Sequence, residues 1–401
     1  MQHSELLLTY PIHGATVWAE SNTQGWYVMG GWKHVDSHCE FDGHEEVVFA
    51  SDKTSGLRAI IAVHRTFLNP HSGKPQSLGG IRMVPYATDA DALTAVLRLS
   101  KGMSYKAALA NVPFGGAKSV IIGNPNMLQA DKEKLLAAFA RVLDKLHGTY
   151  VGAEDMGMKV ADMDFIRRKT EWVAGTSGHM GGSGDPSRMT ALGVFASIEI
   201  CFERVFGNPS VFGRKVSISG VGNVGRNLAV LLMKNGAHVY IADTNSATLQ
   251  SVGSLLFDEM QKGQRTGTFT VVEPHECHAL DVDAYAPCAG GAILNDDTIP
   301  RLRCSVVAGS ANNQLAKTHH GDMLHERGIL YAPDYVVNAG GLINVSIETE
   351  PGGYNEETAQ ERVRHIPHIV RQIFMRSEAG RIAPHHVADR MALEIIEQKR
   401  V

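Results

Sequence analysis

The sequence predicts an α/β protein of two domains, on three observations. The chain has 401 residues, more than one hydrophobic core ordinarily serves. Residues 175–187 are a run of Gly, Ser, Met and His that ends in Asp185-Pro-Ser, the composition of a linker and hinge. After it, short apolar runs alternate with helical periodicity as far as about Asn338, the pattern of a parallel, doubly wound sheet. The expected domains are residues 1–183, rejoined by 355–401, and residues 184–354.

Composition narrows the class. Apolar residues make up 44% and charged residues 20%, as in soluble globular proteins. The net charge of −4 shows no basic excess, so neither nucleic acid nor an anionic membrane is an expected partner. No apolar run reaches the length of a membrane span, and Met1-Gln-His-Ser-Glu does not read as a signal peptide. The five cysteines are odd in number and lack a CxxC pair, which fits reduced thiols in a cytoplasmic location. His275-Glu-Cys-His278 has no second ligand pair at finger-like spacing, so no metal is expected.

In chain order, residues 1–45 read as irregular. Val47–Ala50 and Leu57–Val63 read as strands joined by a turn at Asp52–Gly56, and Asn69–Pro75 as a Pro/Gly-rich loop. Thr88-x-x-Asp91 resembles a capping box, ahead of Leu93, Val96, Leu97 and Met103 at helical spacing. Residues 117–122 read as a strand, 131 to about 147 as a helix, and Tyr150–Asp155 as a strand whose end bears two carboxylates. Residues 356–377 read as one long amphipathic helix carrying the chain back to the first domain.

Lys101-Gly-Met-Ser-Tyr-Lys106 and Pro113-Phe-Gly-Gly-Ala-Lys118 put lysines beside a glycine pair in an apolar setting. A buried ammonium is costly without an anionic partner, and burial lowers its pKa until it can serve as a base. Lys106 and Lys118 therefore suggest a division of labour, one holding a substrate carboxylate and the other handling protons. Asp155 ends a nearby strand, and is expected to face Lys118 across the gap between the domains.

Lys215-Val-Ser-Ile-Ser runs into Gly220-Val-Gly222-Asn-Val-Gly225 and a helix from about Asn223 to Lys234. The glycines permit a tight turn, backbone approach to a pyrophosphate and close helix–strand packing, and the helix N-terminus attracts the anion. The next strand, His238–Asp243, ends in an acid placed to bond the ribose hydroxyls and repel a 2′-phosphate. That is a Rossmann-type dinucleotide-binding domain, with NAD favoured over NADP. Alone it leaves a hydroxy-acid dehydrogenase and a non-catalytic nucleotide sensor open.

Nine stretches in order resemble the glutamate/leucine/phenylalanine/valine dehydrogenases, and among them leucine dehydrogenases: Leu78-Gly-Gly-Ile-Arg-Met, Lys101-Gly-Met-Ser-Tyr-Lys, Gly115-Gly-Ala-Lys, Ala153-Glu-Asp, Ser183-Gly-Asp-Pro-Ser, Gly220-Val-Gly-Asn-Val-Gly, Tyr285-Ala-Pro-Cys-Ala, Ala308-Gly-Ser-Ala-Asn-Asn-Gln and Asn338-Ala-Gly-Gly. The resemblance implies an N-terminal domain for substrate and oligomerisation, and an active site in the cleft. It implies Lys118 as catalytic base and Asp155 as proton shuttle. Lys106 would pair the α-carboxylate, with Gly79 and Gly80 against it. Gly220, Gly222, Asn223, Val224, Gly225, Asp243, Thr190, Ala289 and Asn312 would surround the cofactor, Asn312 also lying near substrate.

The implied reaction is reversible oxidative deamination of an L-amino acid to a 2-oxo acid and ammonia. The family grips a second carboxylate through positions occupied here by Leu78 and Val345, so glutamate is disfavoured. Leu78, Met103, Ala153, Leu342 and Val345 would form an apolar pocket. Branched-chain substrates lead, aromatic ones (phenylalanine or tryptophan) are the alternative, and a silent NAD-binding regulator is the reading from another class. Residues 1–45, the loop 69–76 and the end at Val401 depart from the usual pattern, and a homo-oligomer of unspecified number is expected.

Overall fold

The computed structural model describes residues 8–12, 15–19, 35–262 and 267–399, the first two segments by backbone alone. Met1–Glu5, read above as no signal peptide, lies outside them. The chain forms two compact units. One comprises Met1–Asp185, Val345–Asn355 and Ala392–Val401; the other comprises Pro186–Asn344 and Glu356–Met391.

The first unit is built on one sheet. Its strands are β1 (Leu8–Ile12), β2 (Ala15–Ala19), β3 (Glu46–Asp52), β4 (Leu57–Arg65), β5 (Phe67–Asn69), β6 (Lys74–Val84), β7 (Gly115–Ile122) and β8 (Tyr150–Glu154). Their order is β1-β2-β3-β4-β7-β6-β5, with β8 also on β6. The pair β1–β2 replaces part of the irregular stretch expected before residue 45. Strands β6, β7 and β8 run parallel, so their C-terminal ends share one edge.

Three helices cover the sheet: α1 (Asp89–Leu109), α2 (Gln129–Lys145) and α3 (Val160–Arg167). Alternation along β4 assigns the faces. Ile60 and Ala62 pack with Leu93, Val96 and Leu97 of α1, while Ile61 and Val63 pack with Leu136, Phe139 and Leu143 of α2 and Ile166 of α3. The capping box holds: Thr88 Oγ1 accepts from Asp91 N at 3.1 Å, and Asp91 Oδ2 accepts from Thr88 N at 3.1 Å.

The second unit opens with α4 (Ser187–Phe206). Then follow β9 (Lys215–Ser219), α5 (Asn223–Lys234), β10 (His238–Ala242), α6 (Ser246–Gln261), β11 (Phe269–Val271), β12 (Ala284–Pro287), β13 (Val306–Val307), α7 (His319–Glu326), β14 (Leu330–Tyr331) and α8 (Asp334–Val337). All strand pairs are parallel, in the order β11-β10-β9-β12-β13-β14. Counted from β9 this is 3-2-1-4-5-6, the dinucleotide-binding order, with its reversal point between β9 and β12.

Four further helices finish the chain: α9 (Gly340–Ile347), α10 (Glu356–Val363), α11 (Ile366–Gly380) and α12 (Pro384–Lys399). The grouping differs from the expected boundaries. Glu356–Met391 stays with the second unit because α11 packs on α4, burying Ile366, Ile369, Val370, Ile373 and Phe374, with Arg371 on Glu203 at 2.7 Å. Val345–Asn355 belongs instead with the first unit. The single helix expected over 356–377 is two. Pro367 falls in the first turn of α11, where its missing N–H is harmless, whereas inside a continuous helix it would break a bond and clash.

Candidate active site

Lys118, Arg82 and Asp155 meet in the first unit. Lys118 Nζ lies 2.8 Å from Asp155 Oδ2, and Arg82 Nε donates to the same oxygen at 2.8 Å. The expectation that Lys118 and Asp155 face each other across the gap between domains is corrected, since β7 and the end of β8 belong to one sheet. Strand register explains the meeting. Ile81 of β6 pairs with Ser119 on one side and Glu154 on the other. Gly80, one residue earlier, is therefore level with Lys118 and opposite Ala153. A Cβ on Gly80 would sit 2.8 Å from Lys118 Nζ and 2.6 Å from Asp155 Cβ, so only glycine leaves room for the pair.

The other glycines set the surroundings. A Cβ on Gly116 would lie 1.9 Å from Ser104 N, and one on Gly79 would lie 1.7 Å from Ala117 O. Gly116 thus lets α1 press its Lys101–Lys106 segment directly onto β7, while Gly115 makes room for the backbone of Arg65, where its Cβ would lie 1.9 Å from the carbonyl oxygen. Beneath, Tyr150 Oη donates to Gly79 O at 3.0 Å and lies 3.0 Å from Ser119 Oγ. That buried relay fixes the peptide at Gly79.

Electrostatics follow from burial. Lys118 is 6% exposed, and its pKa is lowered by burial first and by the Arg82 charge, against the opposing pull of Asp155. The cationic neighbour that lowers it is Arg82. Burial would raise Asp155, but Lys118 and Arg82 together hold its carboxyl well below the usual range. Glu154, one residue earlier, is pushed up to about 7 by burial and by Asp185, Asp162 and Asp155. Arg82 stands two residues after Gly80, so alternation along the strand was the signal that placed it on the same face.

Lys106 is half-buried in the last turn of α1. Leu78 is wholly buried, Ala153 and Val345 nearly so, and Met103 is half-buried. Val345 Cγ1 approaches Gly175, 3.9 Å from where its Cβ would be. Leu342 is buried in the second unit.

Two polar groupings were not legible in the sequence. Glu348 accepts from the amides of Gly175 (2.9 Å), Thr176 (3.3 Å) and Ser183 (2.9 Å), fastening the Val345–Asn355 segment to residues 175–183. His64 Nδ1 lies 2.9 Å from Ser104 Oγ and its Nε2 3.3 Å from Asp42 Oδ2, with His44 edge-on at 4.9 Å. The serine and imidazole are buried, so this set braces α1 rather than meeting a substrate.

In the second unit, Gly220 has φ +92°, the left-handed region that favours glycine, and a Cβ there would lie 2.6 Å from that of Ala289. A Cβ on Gly225 would lie 2.0 Å from Gly220 O, whereas one on Gly222 would meet nothing within 4 Å. Gly222 caps α5 without a side-chain bond, so its direction is open and the amides at Asn223 and Val224 lead the helix. Asp243 accepts from Val221 N at 2.9 Å and Asn245 N at 2.8 Å, which holds a carboxylate beside the loop. This cradle fits a dinucleotide pyrophosphate and ribose. Thr190 Oγ1 donates to Pro186 O at 3.1 Å, packed where a Cβ on Gly341 would come within 2.8 Å. Asn338 Nδ2 donates to Asn312 Oδ1 at 2.8 Å.

Comparison with known proteins agrees with both units. A family model described as Glu/Leu/Phe/Val dehydrogenase, dimerisation domain, matches residues 43–172. One described as Glutamate/Leucine/Phenylalanine/Valine dehydrogenase matches residues 181–400. A leucine dehydrogenase from Bacillus cereus is 43% identical over 88% of this chain and 91% of its own. A valine dehydrogenase from Streptomyces virginiae is 41% identical over 92% and 98%. The crystal structure of L-tryptophan dehydrogenase from Nostoc punctiforme superposes with a TM-score of 0.72 at 38% identity, covering 89% of this chain and 97% of that one. The chain belongs to the Glu/Leu/Phe/Val dehydrogenase family and is an amino-acid dehydrogenase.

Proposed function

We propose that the chain catalyses the NAD-dependent, reversible oxidative deamination of a branched-chain L-amino acid, leucine, valine or isoleucine. Amino acid, NAD⁺ and water give 2-oxo acid, ammonium, NADH and a proton. The observation that supports this most is the 2.8 Å contact of a buried lysine of lowered pKa with a carboxylate at a strand end. Neutral Lys118 takes a proton from the water that adds to the substrate imine, then stabilises the carbinolamine oxygen as an ammonium. Asp155 passes protons to and from the departing nitrogen. Lys106 pairs the α-carboxylate, with Gly79 and Gly80 offering it close backbone.

Bound NAD would accept the hydride from the substrate Cα at nicotinamide C4. Gly220, Gly222, Asn223, Val224 and Gly225 would hold its pyrophosphate, with Thr190, Ala289 and Asn312 nearby. Asp243 would hold the ribose, and its charge disfavours the 2′-phosphate of NADP.

Apolar Leu78 and Val345 argue against a substrate with a second carboxylate, since a buried charge without a partner costs several kcal/mol or more. With Met103, Ala153 and Leu342 they favour an aliphatic side chain. One methylene is worth only about 1–3 kcal/mol to such a pocket, so all three branched-chain substrates are expected to react. The likeness to a tryptophan dehydrogenase favours an aromatic substrate as second reading. The match to a dimerisation-domain model supports a homo-oligomer, and the five free cysteines favour a reducing, cytoplasmic location.

The test is NAD reduction by purified protein across the twenty amino acids. Branched-chain substrates should lead, and Lys118→Ala should abolish turnover. Turnover of glutamate alone would refute the pocket argument. Tight NADH binding without turnover of any amino acid would point to a regulator instead.

A further inference from the structure

A second cluster of chemistry lies in the second unit, away from the glycine loop in sequence. Asp322 of α7 and His385 and His386 of α12 direct one donor atom each to a common point, all within 4.8 Å of one another. His386 Nε2 is 2.9 Å from Asp322 Oδ1 and His385 Nε2 is 3.9 Å from it. The rings are adjacent, with centroids 3.9 Å apart.

His385 is the informative member. It is 5% exposed, and among the described residues neither ring nitrogen has a hydrogen-bond partner. A buried imidazole with neither nitrogen in a well-formed hydrogen bond loses the solvation of two polar atoms with little in return. The fold makes special room for it. A Cβ on Gly321 would lie 2.3 Å from His385 Nδ1, so only glycine at that position of α7 admits the ring. The other histidine–carboxylate cluster on α7 differs. His320 there is satisfied at both nitrogens, by Lys317 N at 2.9 Å and Asp296 Oδ1 at 3.2 Å.

We propose that Asp322, His385 and His386 bind a divalent cation of the zinc class, which ties the first turn of α12 to α7. Two imidazoles and one carboxylate are a set that Zn²⁺ accepts, leaving one tetrahedral position for water. Hard cations prefer all-oxygen sites, so this set favours a zinc-class ion over Mg²⁺ or Ca²⁺. The sequence hid the site because residues 322 and 385 lie far apart and match no finger spacing.

The test uses untagged full-length protein, stripped with a chelator and titrated with Zn²⁺ alone in a calorimeter, then with Co²⁺ in the visible. Wild type should bind Zn²⁺ and give a tetrahedral Co²⁺ spectrum. Asp322→Asn and His386→Ala, at partly exposed positions, should each weaken binding at least about tenfold, since loss of even an outer partner of a ligand costs that much. His319→Ala should bind as wild type does. Zn²⁺ should raise the Tm of wild type and not of Asp322→Asn, because a ligand of the native state alone stabilises it. No uptake by wild type, or equal uptake by the Asp322 and His386 variants, would overturn the proposal. Neither readout depends on turnover, so the dehydrogenase reading stands or falls separately.

Discussion

Replacing Arg82 by glutamine removes the cation that competes with Lys118 for Asp155. Both nitrogens lie 2.8 Å from one carboxylate oxygen, so they are no further apart than twice that, about 5.6 Å. Two unit charges at that separation repel by about 3 kcal/mol at an effective dielectric of about 20. That is on the order of 100-fold in a proton equilibrium at about 1.4 kcal/mol per tenfold. In the variant Lys118 keeps its proton to higher pH, because it no longer meets a like charge and no longer shares its partner. The assay is the pH profile of kcat/KM for amino-acid oxidation. The rising limb should move to higher pH. Activity on the acid side should fall by about 10- to 100-fold, since solvent screening trims the Coulomb figure, while the alkaline plateau holds. Arg82→Lys should restore most of the original profile. A plateau that drops while the midpoint stays put would refute the reasoning and leave Arg82 as a binding or packing residue.

Gly80→Ala should lower kcat on the order of 100-fold, the usual result of displacing reacting groups by about 1 Å, because its methyl would come within 2.8 Å of Lys118 Nζ; a variant with normal kcat would sink the register argument. Glu154 has a folded-state pKa of about 7, above its ordinary 4.5. Its contribution to stability is therefore complete below pH 4.5 and is lost as pH rises through 7. Urea unfolding should show Glu154→Gln losing less stability than wild type between pH 4.5 and 8, and identical slopes would count against it. Gly225→Ala would put a methyl 2.0 Å from Gly220 O and push α5 off its loop; NADH affinity, read by fluorescence, should fall at least about tenfold, given that overpacking costs about 1–3 kcal/mol.

The second unit was largely legible. Lys215–Ser219, the glycines, the helix from Asn223 and Asp243 are all local signals, each enforced by neighbours within a few residues, and they stand where expected. The first unit was harder. The start of strand β6 was read as a loop, because Pro75 lowers strand propensity while pairing with β5 supplies the order. The Lys118–Asp155 contact was anticipated as a pair but misplaced across domains, since nothing local tells which sheet a strand end joins. Arg82, Glu348 and the His64–Ser104 bond were missed for a related reason. Each is a long-range partnership, and Glu348 reaches back more than 160 positions to the amides it accepts from.

Synthesis on the ribosome gives that long reach a temporal meaning. The amides of Gly175 and Ser183 emerge well before the carboxylate that receives them. Lys399, whose ammonium stands 5.3 Å from the Phe67 ring and 3.1 Å from Asn111 Oδ1, arrives later still. Both sheets are complete once Tyr331 has emerged, and the second unit once Met391 has, whereas the first must wait for residues 345–355 and 392–399. Nascent chains should thus dwell with an incomplete amino-terminal half, and closing such a distant contact is entropically slow. Holdase chaperones would find their target there, in the half translated first and finished last.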